Sequence, residues 1–234
     1  MKDEVSILIP TRFDNRYSLE LCIKTIRKYT HSKYRIIVGD DGIDDITREY
    51  LKTENEIEIV QCPDHRNPKD YLARIVQTPF FIFIHDDLQI LRDGWLERRM
   101  EVMEQYPNTG ILGVTDFSFV YGWKKYFTFS PLKKRFFPIA MLVRKQTQDE
   151  LDLRWGIIHG FDTGAVAYFQ FACQKKWKFF RYKFNMDMKH WGGMTWIIEK
   201  QRREGKLSPD MEKILENRNK KIEMIKNILL TNNY

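Results

Sequence analysis

The chain has 234 residues, 43% hydrophobic, 30% charged and 14% aromatic, with a net charge of +7. That length suits one domain with a large core, or one domain with an appendage, and the balance excludes a disordered, collagenous or disulfide-stapled protein. The mild positive charge suits an anionic ligand, whether phosphate, nucleic acid or a membrane surface.

The longest clean apolar runs, such as Val5–Ile9 and Phe80–Ile84, fall far short of the ~20 residues that cross a bilayer. Met1–Glu4 carries both signs of charge, which does not suit a signal peptide. Cys22, Cys62 and Cys173 form no CxxC pair, so reduced thiols in a cytoplasmic setting are expected.

In chain order, Val5–Ile9 reads as a buried strand stopped by Pro10-Thr11. Leu19, Cys22, Ile23 and Ile26 form one stripe of a helix from about Asn15 to Tyr29. Ile36–Val38 is a second strand, ending at Gly39-Asp40-Asp41-Gly42, and a short helix follows with Ile46, Tyr50 and Leu51 inward. Ile57–Val60 is a third strand. Asn67-Pro68 opens a helix, with Asn at the N-cap and Pro at N1, and Tyr71, Leu72, Ile75 and Val76 make its apolar face. Phe80–Ile84 is apolar throughout, as a central strand covered on both faces should be, and it runs into His85-Asp86-Asp87. A helix from about Gly94 to Tyr106 and a strand at Ile111–Val114 complete the first half.

Strand–helix alternation of this kind predicts an α/β fold with a doubly wound parallel sheet and helices on both faces. Ligands of such sheets bind beyond the carboxyl ends of the strands. Pro10-Thr11-Arg12, Asp40-Asp41 and His85-Asp86-Asp87 stand at those ends.

The second half is less regular. From Phe117 to Gln148 seven basic residues and no acidic one are interleaved with aromatics, a pattern that suits sugar rings and phosphates, a nucleic acid, or simply a solvated loop. Phe137–Val143 reads as a strand, and Asp149–Arg154 and Phe161–Gln174 as helices. Lys175–Lys183 is a second basic and aromatic cluster. From Ser208-Pro209, apolar residues from Met211 to Leu229 repeat at helical spacing opposite a charged face. The expected organisation is a domain over 1–207, split into halves at 1–115 and 116–207, and an amphipathic helix over 208–234. That helix suits packing, or a homodimer, better than an anionic membrane, while peripheral membrane contact stays open.

Adjacent Asp86 and Asp87 at the end of an apolar strand repel each other and are costly to desolvate, and a hard divalent cation such as Mg²⁺ or Mn²⁺ would compensate. A polar turn with Asp at capping positions is the plainer reading. Asp40-Asp41-Gly42 is a second acidic turn, and Asp-Gly turns are common. Neither GxGxxG nor GxxxxGK[ST] occurs, which argues against a dinucleotide oxidoreductase and a P-loop NTPase.

Taken together, Val5–Thr11, Val38-Gly-Asp-Asp-Gly42 and Phe81–Asp87 resemble glycosyltransferase family 2 in order and spacing. Gly160-Phe-Asp-Thr163 and His190-Trp-Gly-Gly193 are similar to later segments of that family. The resemblance covers about residues 5 to 195. It implies a GT-A fold, Rossmann-like and mostly parallel, and a metal-dependent inverting transfer of a sugar from a nucleoside-diphosphate sugar, with UDP or GDP, to an acceptor hydroxyl. The acceptor would be a glycan, a glycolipid or a protein, and no nucleic-acid partner is expected. By the same resemblance Asp40 contacts the nucleobase, and Pro10, Thr11, Arg12, Arg66 and Asp86 line the nucleotide sugar. Asp87 and His190 hold Mn²⁺ or Mg²⁺, and Asp162 is the catalytic base, with His159 as the alternative. The family often has Asp where this chain has His85. A nucleotidyltransferase of similar fold and a basic nucleic-acid-binding module are the rival readings.

Overall fold

The computed structural model describes residues 4–13, 16–63, 67–114, 140–155, 167, 170, 174–182, 187–191, 205 and 209–234. The elements are β1 (Val5–Phe13), α1 (Arg16–Tyr29), β2 (Tyr34–Ile43), α2 (Asp45–Thr53), β3 (Ile57–Gln61), α3 (Pro68–Ile75), β4 (Phe80–Ile84), β5 (Leu88–Ile90), α4 (Trp95–Gln105), β6 (Thr109–Val114), β7 (Ala140–Arg144), α5 (Lys145–Leu151), β8 (Lys178–Tyr182), β9 (Met188–His190) and α6 (Pro209–Thr231).

Seven strands form one sheet in the order β3-β2-β1-β4-β7-β6-β8. All run parallel except β7, which is antiparallel to both β4 and β6. The sheet is thus mostly parallel, as expected, with β7 the one strand that runs against its neighbours. From β1 the chain winds one way to β2 and β3, then crosses back to β4 on the other side. The rim between β1 and β4 is therefore a topological switch point, where a ligand crevice opens.

β4 shows why both faces must be covered. Its five residues are all buried, and they alternate between two cores. Phe80, Ile82 and Ile84 join Val5, Ile7, Leu19, Trp95 and Met100 under α1 and α4. Phe81 and Phe83 join Leu8, Leu72, Ala73 and Trp155 under α3. The period-2 alternation of side chains sends one apolar run into both layers. A third, smaller cluster seats α6 through Ile225 against Leu21 of α1 and Trp191, so part of the apolar face of that helix is used within the chain.

Three local expectations are corrected. β1 continues past Pro10 to Phe13, because its pairing with β4 ends at Leu8 and Phe83. Beyond that point one side of β1 has left the ladder, where a missing N–H costs no strand bond. Ile46 is 71% exposed, and Thr47 takes the inward place beside Tyr50 and Leu51. The helix expected at Asp149–Arg154 lies at Lys145–Leu151 and ends at Asp152, whose φ of 45° is left-handed. Buried Gln148 then fixes the exit, accepting from the Trp155 indole at 2.5 Å and donating to Leu153 O at 2.9 Å. Most of the basic and aromatic stretch and most of Phe161–Gln174 lie outside the described residues.

Candidate active site

The site is built where β4 ends. After Ile84 the chain turns, with Leu88 N–H donating to His85 O at 3.1 Å, and re-enters extended structure as β5. β5 pairs antiparallel with β9, Leu88 opposite His190, and Trp191 N–H donates to Asp87 O at 3.0 Å. This two-stranded ladder carries a residue about a hundred positions away onto the end of β4. His190 Nε2 lies 2.9 Å from Asp87 Oδ1, and the His85 and His190 rings meet edge to face with centroids 5.8 Å apart.

One ligand atom from each of His85, Asp87 and His190 lies within 4.8 Å of the others. A first-row divalent cation bound at ~2.0–2.2 Å to imidazole nitrogen and carboxylate oxygen needs ligand atoms ~3–4 Å apart. The trio fits such an ion with a small closure. Two imidazoles and one carboxylate suit Mn²⁺ and its first-row neighbours. Burial pushes the Asp87 carboxyl up, but His190, by its hydrogen bond and by attraction when protonated, and His85, by attraction when protonated, outweigh it and hold the pKa below the ordinary value. Asp87 is thus ionised at neutral pH, as a ligand must be.

Lys69, buried in the first turn of α3, reaches the same cluster, with Nζ 2.9 Å from His85 Nε2. On the far side, β9 is anchored by buried Asp187. Its Oδ1 accepts from Arg98 at 3.1 Å and its Oδ2 from Arg99 at 3.2 Å.

The second acidic turn lies two strands away across the sheet, about 10 Å at ordinary strand spacing. Thr11 of β1 is paired with Asp40 of β2. Asp40 Oδ1 accepts from the backbone N–H groups of Gly42 and Ile43, both at 3.0 Å, and Oδ2 accepts from Arg48 at 2.6 Å. Gly42 has φ of 89°, a conformation that favours glycine, so the Asp-Gly pair closes this turn. Three of the four acceptor sites of Asp40 are thereby used, and its side chain is 1% exposed. Asp41 pairs with Arg12 at 2.5 Å. Replacing Asp40 with Asn would set an amide N–H₂ against the turn or against Arg48. We expect Asp40→Asn to lose about 1–3 kcal/mol, read as a lower urea midpoint with an unchanged slope.

The two described cysteines are buried and free. Burial, with Asp86 and Asp87 nearby, pushes the Cys22 thiol well up. Burial, with Asp41 and Asp40, pushes Cys62 up to about 12. Neither is a nucleophile at neutral pH.

The profile of glycosyl transferase family 2 matches residues 6–177. The chain belongs to this family. No curated protein sequence matches the chain. Among solved structures, S. aureus TarS is similar with TM-score 0.59 and 12% identity, over 86% of this chain and 38% of that one. The 1–349 form of TarS in complex with UDP is similar with TM-score 0.62 and 11% identity, over 79% of this chain and 59% of that one. The mannosyltransferase PcManGT from Pyrobaculum calidifontis, in complex with GDP-Man and Mn²⁺, has TM-score 0.60 and 14% identity, over 93% of this chain and 69% of that one. The chain thus spans less than two thirds of these TarS chains. At such identities the likeness establishes a GT-A-like fold for this family member.

Of the sites expected from sequence, the structure brings Asp87 and His190 together. It sets Pro10, Thr11, Arg12 and Asp40 along the carboxyl ends of β1 and β2, and Asp86 in the turn between β4 and β5. Arg66, His159 and Asp162 lie outside the described residues. Sequence reasoning missed His85 as a member of the candidate metal cluster, and it missed Lys69, Asp187 and Arg99. Arg99 did carry a signal, because it interrupts the inward stripe of Trp95, Leu96, Met100 and Met103.

Proposed function

We propose that the chain is a metal-dependent inverting glycosyltransferase that moves a sugar from a nucleoside-diphosphate sugar to an acceptor hydroxyl. The observation that carries this reading is the convergence of His85, Asp87 and His190 at the switch point of the family's sheet. Asp87 and His190 would hold Mn²⁺ or Mg²⁺, which when bound would neutralise charge developing on the leaving diphosphate. Pro10, Thr11, Arg12, Arg66 and Asp86 would contribute to nucleotide-sugar binding. Asp40 holds the 40–43 turn, and its remaining acceptor site would contact the nucleobase. Asp162 takes the proton of the acceptor hydroxyl as that oxygen attacks the anomeric carbon and the bond to the diphosphate breaks.

On this reading residues 1–115 serve the donor and 116–207 the acceptor, and the basic, aromatic stretch suits a glycan, glycolipid or protein with anionic character. Among the described residues no helix is long and apolar enough to cross a membrane. Buried, reduced thiols accord with a cytoplasmic setting.

The test is a thermal-shift panel of UDP, GDP and their sugars, each with and without Mn²⁺. One nucleotide should raise Tm, and more so with Mn²⁺, because a ligand bound only to the folded chain stabilises it by mass action. A Tm unmoved by every nucleotide, with metal and without, would sink the reading.

A further inference from the structure

The metal cluster carries a cation of its own. Lys69 is 7% exposed, and its Nζ sits 2.9 Å from His85 Nε2. An ammonium group has three donors and no acceptor, so Nε2 must be the acceptor. A neutral His85 then carries its proton on Nδ1, and the one ring lone pair points at Lys69. A divalent cation ligated by His85 needs that same pair. Ammonium and metal ion therefore cannot both hold it.

We propose that Lys69 is the resident counter-cation of this rim. It occupies the His85 lone pair and offsets the charge of Asp86 and Asp87 while no divalent ion is bound, and it leaves His85 when one enters. This deepens the metal reading above and rests on it. The backbone of Lys69 stays fixed as its side chain leaves, because its N–H is held by the Asn67 side chain at 3.0 Å in the cap of α3. The four-carbon stem lets the ammonium swing without disturbing that cap. The consequence is that the chain binds metal more weakly than its two imidazoles and carboxylate would bind alone. Removing the ammonium should therefore improve metal binding, whereas removing a residue that only supports the fold should not.

The test is Mn²⁺ titration followed by electron paramagnetic resonance, without nucleotide, on the full chain and on Lys69→Met, His85→Ala, the double variant and Asp87→Asn. Lys69→Met should bind Mn²⁺ about 10-fold tighter than the parent chain. In the His85→Ala background the same change should alter affinity by less than about 3-fold, since the contested lone pair is gone. Equal tightening in both backgrounds would mean a field effect at a distance and would overturn displacement at His85. Unchanged or weaker binding by Lys69→Met, with binding still lost in Asp87→Asn, would overturn this inference and leave the metal reading standing. Failure of every chain to bind Mn²⁺ would remove both. Should the methionine variant fold poorly by circular dichroism, Lys69→Gln makes the same test with a polar side chain.

Discussion

An Asp87→Ala chain should lose Mn²⁺-dependent sugar transfer by about 10³-fold or more and yet remain folded. Both halves of this expectation come from where Asp87 stands. Its carboxylate is the one anionic member of the His85, Asp87 and His190 trio, so without it two neutral imidazoles face the ion alone. Fold is spared because the ladder around Asp87 is made by backbone. Trp191 N–H still finds the carbonyl of residue 87, and Leu88 still pairs with His190. The lost side chain was itself costly to bury. Turnover measured against Mn²⁺ concentration, beside Tm, separates the two effects. Transfer at the parent rate would remove Asp87 from the metal site. A collapse in Tm would instead make it a structural residue.

Much of this architecture can be read from residue order because the first half obeys local rules. Asn67-Pro68 caps α3 where expected, and the run Phe80–Ile84 matches β4 at both ends. The misreadings also have local causes. Pro10 looks like a stop until the pairing of β1 with β4 is known to end at Leu8. Ile46 looks inward only because isoleucine outranks Thr47 on any hydrophobicity scale.

The arrangement of the candidate site was legible in part. Asp87 and His190 were reached through family resemblance, which carries the late His without saying what delivers it. Delivery depends on β5 and β9, strands of three residues each, and no periodicity survives in so short a run. The bond between Lys69 and His85 is a meeting of a helix start and a strand end, set by how α3 packs under the sheet. Nothing in the spacing of the two residues announces it.

The second large effect is expected at the anchor of β9. Asp187→Ala should lower stability by about 3–5 kcal/mol, because it leaves the Arg99 guanidinium buried without its carboxylate. Arg99 is 1% exposed and Asp187 3%, so water cannot replace the missing partner. Arg99→Met should cost less, about 1–3 kcal/mol, because Arg98 still pairs with Asp187 Oδ1. The double variant should be less unstable than the sum of the two, since an apolar pair replaces both charges. Urea unfolding of the four chains measures this coupling. The anchor also bears on chemistry, for Asp187 precedes His190 by three residues and its carbonyl accepts from Leu91 N–H at 2.7 Å. Loss of the carboxylate leaves β9 held by its backbone ladder and the buried Met188 and Trp191 side chains, without the ion pairs that fix its start, and His190 is then less firmly set against Asp87. Mn²⁺ affinity should therefore fall in Asp187→Ala even at temperatures where the chain is fully folded. If affinity holds while stability drops, the ladder to β5 is sufficient to place His190 and the arginines serve only the core.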